Sequence, residues 1–378
     1  MSLPSSSAAS VYSETSAPDF GQRRERLLES LEAAGLRFLL ITKPVDIYYF
    51  TGFRGSAGML LIGTRRTRLW VDPRYTLQAG EQTSGIEVIE AREGLGQTVA
   101  AWLRKRRPPA VGYQDLHLAC AELAAIRNKA GRRAGTRWQP VGPMIETLRM
   151  VKDPWEAECI RRAGRLTAEV FGEVLPMVRA GARERDLAAE LEYRMKRAGA
   201  DGAAFETIVA GGPRGAWPHA RASSHHLQTG ELVIFDLGAI LSAYAADMTR
   251  TIYLGRPSRQ ARHLYESVTE AQQEAVQSLR PGLSGNDADA VARQALARRK
   301  LDQYFKHSTG HGVGLEVHER PRLGRGEQAP MPADCVVTVE PGVYVEGYGG
   351  VRIEDTVLVR ENGPEILTPA SKDNWFTG

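Results

Sequence analysis

Two aspartates, two glutamates and a group of histidines stand in contexts that ordinary surface chemistry explains poorly. In ELVIFDLGAILSAYAADMTRTIYLG, Asp236 closes one apolar strand-like run and Asp247 opens the next, eleven residues later. Aspartate is depleted in strands, and an ionised carboxylate leaves water only when paired or bound to a metal. The competing account is that both are turn aspartates capping loop backbone. HSTGHGVGLEVHE carries His307, His311 and His318 at spacings of four and seven residues. Gly310, Gly312 and Gly314 beside them would let the backbone pass close to a ligand. His219, His225 and His226 also fall near these acidic segments. In VVTVEPGVYV, Glu340 ends an apolar run before Pro341 and Gly342, and Glu354 follows fourteen residues later in GGVRIEDTVLV. An ion pair from Arg352 to Glu354 or Asp355 is the alternative there. One dinuclear metal site accounts for Asp236, Asp247, His311, Glu340 and Glu354 together, because four carboxylates at close range repel unless cations sit between them. Two ions about 3.5–4 Å apart, bridged by carboxylates and a water, form a known hydrolytic arrangement. Oxygen-rich ligation with one imidazole suits Mn²⁺, and also Fe²⁺, Co²⁺ or Zn²⁺.

The elements that must position these groups fall into two parts. QRRERLLESLEAA places Leu27, Leu28 and Leu31 on one helical face, closed by Gly35. Strand-like runs LRFLLIT, AGMLLIG, TRLWVD, IEVIE and AVGY then alternate with helix patterns over 95–106 and 119–129. That alternation predicts an α/β domain over residues 20–147, with no phosphate loop and no GxGxxG turn. Asp153 followed by Pro154 marks a helix start, and helices are expected to about Arg179 and over 184–199. The strands FETIVAGG, ELVIFDLG and DMTRTIYLG come next, with the last two read as an antiparallel hairpin. Helices over about 258–280 and 287–301 and a strand-rich end complete an α+β domain spanning 148–378. Residues 1–19 are rich in Ser, Ala and Pro, lack the pattern of a secretory signal and are expected to be a disordered leader.

Composition narrows the function classes. The chain has 378 residues, of which 42% are hydrophobic and 25% charged, as in ordinary globular proteins. There is no apolar run of 18 residues, so no membrane span is expected. Three scattered cysteines, Cys120, Cys159 and Cys335, exclude a disulfide framework or a CxxC zinc site and point to a reducing, cytoplasmic setting. The net charge of +4 is too small to imply nucleic-acid binding. Residues 1–150 hold 21 Lys and Arg against 14 Asp and Glu, the remainder 28 against 31. Surplus carboxylates therefore lie in the second part.

The ordered set FDLG…ADMTRT, TGHGVGLEVHE, TVEPGVY and VRIEDT resembles the pita-bread metallopeptidases, and within them the proline-specific branch of Xaa-Pro dipeptidases (prolidases) and aminopeptidases P. DIYYFTGF and LWVDPRYTLQA look like that branch's N-terminal domain, and LRMVKDPWEAECIRRA like its domain junction. Methionine aminopeptidases share the catalytic motifs but usually lack such an N-terminal domain. The resemblance implies two divalent ions, with Asp236 on one, His311 and Glu340 on the other, and Asp247 and Glu354 bridging both. It further implies Glu340 as proton shuttle, His318 as partner of the substrate carbonyl, and His219 and His307 as substrate-side histidines. Arg322 and Arg352 are candidate clamps for a proline carboxylate, with surface or ligand-orienting roles as the alternative for each. The family often has Gly-Tyr-x-Ser-Asp where this chain has Ala243-Tyr244-Ala245-Ala246-Asp247, which removes a hydrogen bond near one ligand. All five ligand positions are filled, unlike the metal-free creatinase kind. The implied substrate is a proline-containing di- or oligopeptide, and a homodimer is expected by analogy. An aminopeptidase P acting on longer peptides, a catalytically silent binding protein and hydrolysis of another C–N or P–O bond are the competing readings.

Overall fold

The computed structural model describes residues 17–131 and 135–377. Residues 1–16 of the expected leader lie outside the described ones, and Asp19 belongs instead to the first helix, whose Gln22 N–H its side chain accepts at 2.9 Å.

The N-terminal part is built on a mixed six-stranded sheet. Its order is Glu87–Glu90, Arg68–Val71, Gly58–Gly63, Phe38–Ile41, Ala110–Tyr113 and Arg137–Pro140. Period-two alternation divides its side chains between two cores. Leu39, Ile41, Leu60, Ile62, Leu69 and Val71 pack on one face with Leu27 and Leu31 of helix Phe20–Ala33. Leu40, Met59, Leu61 and Trp70 pack on the other with Val99 and Leu103 of helix Leu95–Arg106 and Ile126 of helix Cys120–Ala130. The expected α/β layering is present. One helix, Pro44–Thr51, has no amphipathic pattern to announce it, since nearly all its residues are buried.

The second part consists of two helix-on-sheet halves. Asp153 caps helix Pro154–Val174 in a reciprocal box with Glu156, as the Asp-Pro start predicts. This helix ends before Arg179, because Pro176 cannot donate to the preceding turn and a 3₁₀ turn over Leu175–Met177 follows. With helix Glu184–Arg197 it covers the sheet formed by Ile208–Gly211, Leu232–Leu237, Met248–Leu254 and the short edge strand Phe376–Thr377. The last two strands pair antiparallel from Met248↔Leu237 to Tyr253↔Leu232, which is the expected hairpin. Helices Arg259–Ser278 and Gly285–Arg298 cover a second sheet, made of Gly310–Gly312, Glu319–Leu323, Val336–Val339, Asp355–Leu358 and Glu365–Ile366. A two-stranded ribbon, Gly342–Val345 with Gly349–Arg352, completes this half.

All three cysteines are free. Among the described residues, no helix is long and apolar enough to cross a membrane.

Candidate metal centre

The five acidic and imidazole positions meet in one cleft of about 820 Å³ between the two halves. Val233, Ile234 and Phe235 are buried in the middle strand of their sheet and carry Asp236 to its end, opposite Thr249 and Ile208. Asp247 stands just before Met248–Leu254, its backbone N–H held by Thr356 Oγ1 at 3.2 Å. His311 lies on Gly310–Gly312, and its backbone N–H donates to Thr338 Oγ1 at 3.0 Å. Glu340 directly follows Val336–Val339, its N–H donating to the Thr309 carbonyl at 2.8 Å. Glu354 lies between Gly349–Arg352 and Asp355–Leu358, and Thr249 Oγ1 donates to its Oε2 at 2.6 Å.

His311 Nε2 is 3.5 Å from Glu340 Oε1 and 3.7 Å from Asp247 Oδ2. Ligand atoms of Asp247, His311 and Glu354 all lie within 4.8 Å of one another. Burial pushes the Asp247 carboxyl well above its usual range, and Glu354, Asp236 and Glu340 push it further. Burial does the same to Glu354, followed by Glu340 and Asp236. The Glu340 carboxyl is pushed up to about 8 by burial, against the pull of Arg352. His311 is held down at about 4 by burial and by His318, so its ring is neutral, the form that ligates. Asp236 Oδ1 and Asp247 Oδ1 are buried with no hydrogen-bond partner, so neither carboxylate is a turn cap. Crowded acids, two orphaned oxygens and a neutral imidazole fit divalent cations: the cluster is costly without positive charge and has free lone pairs to offer it.

Residues 158–361 match the model of metallopeptidase family M24, and residues 23–151 match that of the creatinase/prolidase N-terminal domain. The chain belongs to metallopeptidase family M24. It is therefore a hydrolase of peptide substrates that works with divalent metal ions. It is 33% identical to the Xaa-Pro dipeptidase of Pyrococcus furiosus over 93% of this chain and 99% of that one. Among solved structures, the Xaa-Pro dipeptidase from Bacillus anthracis superimposes with a TM-score of 0.91 at 33% identity, covering 95% of this chain and 100% of that one. The X-Pro aminopeptidase from Thermotoga maritima does so at 0.87 and 34%, covering 94% and 100%.

Within this M24 cleft the remaining histidines and arginines divide sharply. His219 and His318 are solvent-exposed and line it, and the His318 ring lies 4.2 Å from that of His311. His307 also lines it, but both its ring nitrogens are engaged: Nδ1 with the Ser308 carbonyl at 2.8 Å and Nε2 with the Tyr344 hydroxyl at 2.8 Å. The carbonyl requires the proton on Nδ1, so Nε2 accepts from Tyr344. His307 thus offers substrate a ring face rather than a free nitrogen. His225 and His226 are elsewhere, on Glu231 and on the Gly181 carbonyl.

Arg352 is buried and fully engaged. Nη2 donates to Asp236 at 2.7 Å, Nη1 to Tyr344 Oη at 2.9 Å and to the Pro218 carbonyl at 3.2 Å, and Nε to Thr249 Oγ1 at 3.1 Å. This corrects two expectations for it and agrees with the orienting alternative: it has no donor fork free for a substrate carboxylate, and it holds Asp236 rather than Glu354 or Asp355. Asp355 is instead taken by Arg250 at 2.8 Å and Lys372 at 2.5 Å. Arg322 is exposed, with one 3.4 Å bond from Nε to Ser308 Oγ. The glycines around His311 also have a different reason from the one expected. Cβ atoms at Gly310 and Gly312 would lie 1.9 Å from the Thr338 carbonyl oxygen and 2.1 Å from that of Arg320, so neighbouring protein backbone, not a ligand, excludes side chains.

Tyr344, Thr249, Thr338 and Thr356 support the site and carried no chemical reading from sequence. Polar threonines inside otherwise apolar strands were the available signal: in VVTVE and DMTRT each hydroxyl bonds a ligand residue or its neighbour.

Proposed function

We propose that this chain is a dinuclear metal-dependent exopeptidase that hydrolyses the Xaa–Pro bond of dipeptides, in the manner of a prolidase. The observation that carries it is the pair of buried, unpartnered oxygens, Asp236 Oδ1 and Asp247 Oδ1, within a crowd of acids. In this reading Asp236, Asp247, His311, Glu340 and Glu354 hold two ions, with Mn²⁺ favoured by the oxygen-rich donor set and Fe²⁺, Co²⁺ and Zn²⁺ as alternatives. When bound, the ions acidify water and polarise the scissile carbonyl.

The chain's own groups supply the rest. Glu340 accepts the proton of the attacking water on its carboxylate and returns it to the proline nitrogen as the bond breaks. His318, its ring exposed in the cleft, donates to the carbonyl oxygen as charge develops there. His219 and the face of His307 wall the pyrrolidine ring, whose tertiary amide has no N–H to be recognised. Arg322 is the guanidinium available to a dipeptide's terminal carboxylate. Residues 20–147 then act as the N-terminal domain and 148–378 as the catalytic one, in a cytoplasmic homodimer.

A second reading, aminopeptidase P activity on longer peptides, draws support from the likeness to the Thermotoga maritima X-Pro aminopeptidase, whose TM-score of 0.87 is a little below the 0.91 of the Bacillus anthracis dipeptidase at similar identity. The test is hydrolysis of Ala-Pro beside Ala-Pro-Phe by the Mn²⁺-loaded chain. Preferential cleavage of Ala-Pro is expected, with Glu340→Gln lowering kcat by about 10²–10⁴. Preference for the tripeptide selects the second reading, and cleavage of neither overturns both.

A further inference from the structure

We propose that Arg149, gripped by Asp46 of the N-terminal part, is a positioning residue that sets the loop carrying His318. The inference rests on the substrate-side reading of His318 given above. Among the described residues no hydrogen bond holds the His318 ring, so its aim depends on the backbone of residues 313–319. That segment leaves the Gly310–Gly312 strand at a register shift between His311 and Gly312, and it is braced from outside the catalytic part.

The brace is continuous. Gln114 Nε2 donates to Asp46 Oδ2 at 2.5 Å, and its Oε1 accepts from the Thr42 and Lys43 N–H groups at 2.8 and 3.1 Å. Arg149 Nη1 donates to the other Asp46 oxygen at 2.6 Å, while Nη2 reaches Glu316 Oε2 at 3.0 Å and also Glu319 Oε1. Lys43 Nζ meets Glu316 Oε2 at 2.6 Å. Glu319 then folds back to accept the Glu316 N–H at 2.9 Å, closing the turn whose next-to-last residue is His318. A Cβ at Gly314 would lie 2.6 Å from the Glu319 carboxylate, so the turn closes with no room for a side chain at that position. Leu315 packs into the N-terminal core and also into the cluster formed by Tyr48, Ala157 and Val313. Arg149 and Asp46 are almost wholly buried, at 3% and 0% exposure. Such a buried fork fixes geometry more strictly than an exposed pair does, because its planar donors hold two carboxylates in one arrangement.

The test is a double-mutant cycle on the full-length, Mn²⁺-loaded protein, with kcat/KM for Ala-Pro measured in wild type, Arg149→Met, His318→Ala and the combination. A misplaced catalytic group predicts a loss of up to about 100-fold for Arg149→Met, carried by kcat. In the His318→Ala background the same substitution should change kcat/KM by less than about twofold, since only coupled residues are non-additive. Amide hydrogen exchange should accelerate over 313–320 while helix Pro154–Val174 is unchanged. Should Arg149→Met not fold, Lys43→Met removes a half-buried tie and should give a smaller loss with the same dependence on His318. Full persistence of the loss without His318, or unaltered exchange over 313–320, overturns the proposal. If the wild type cleaves no Xaa–Pro peptide, the proposed function fails and the exchange measurement alone decides the bracing.

Discussion

Arg352 holds Asp236 by one oxygen: the 2.7 Å bond from Nη2 fixes Oδ2 and leaves Oδ1 buried and free. The same guanidinium donates to Tyr344, whose hydroxyl donates in turn to His307. A line of polar contacts therefore runs from an aspartate of the acid cluster to the wall of the cleft, with its direction fixed by the Nδ1 proton of His307.

Because one planar group serves Asp236, Tyr344, Pro218 and Thr249 at once, a lysine cannot replace it. Arg352→Lys and Arg352→Met are both expected to lower kcat on Ala-Pro by about 10–100-fold, with similar values for the two. Steady-state kinetics checks this; near-complete rescue by lysine would show that charge alone matters.

Metal removal should reverse the stability order of the native cluster and one with a single acid neutralised. Chelation should abolish hydrolysis and lower the Tm of the wild type, because Asp247 and Glu354 are pushed well above their usual range by burial and then by neighbouring acids. Glu354→Gln removes one crowded charge, so the chelated variant should melt above the chelated wild type, by roughly 2–4 °C for each ~1 kcal/mol relieved. With Mn²⁺ added the order should reverse. Calorimetry in both conditions reads the crossing.

Arg322 and Arg221 are exposed guanidiniums of the cleft, Arg221 being paired with Glu206 at 3.1 Å, and a dipeptide places its carboxylate nearer the scissile bond than a tripeptide does. Arg322→Ala should raise KM for Ala-Pro by about 10-fold, the scale of one charge-assisted hydrogen bond, and change KM for Ala-Pro-Phe by less than about twofold. Equal losses on both peptides would remove Arg322 from carboxylate binding.

Burial alone would raise the Glu319 carboxyl, but Lys152 and Arg149 together hold it below its usual value of 4.5. A depressed carboxyl stabilises the fold above that value and loses its contribution as pH falls through the folded one. Wild type should therefore melt above Glu319→Gln at pH 7, and the gap should shrink below about pH 4.5. Melting curves of both proteins from pH 7 to about 3.5 test the sign.

Local signals carried much of the architecture. The Asp153-Pro154 cap, the Leu27/Leu31 stripe and the alternating strands of the first sheet act within a few residues, so their chemistry is written in short stretches. The four clustered acids and their imidazole were legible because carboxylates in apolar strand contexts need a reason. Partners across long separations were not: Arg149 and Glu319 look like ordinary charged residues, and nothing near Arg352 in sequence says that Asp236, over a hundred positions earlier, will take it. Helix Pro44–Thr51 was hidden by its aromatic and β-branched content, which favours strands locally and is overridden here by burial on nearly every side. His307 was read by type and spacing, and only the fold reveals that Tyr344 and Ser308 occupy its nitrogens.

The four acids and one imidazole come from both halves of the catalytic part: Asp236 and Asp247 from the first, His311, Glu340 and Glu354 from the second. A growing polypeptide cannot complete this cluster until Glu354, the last of the five in chain order, has left the ribosome. Assembly of the cluster is thereby tied to synthesis past Glu354, and a chain that stops before it would lack one of the five groups.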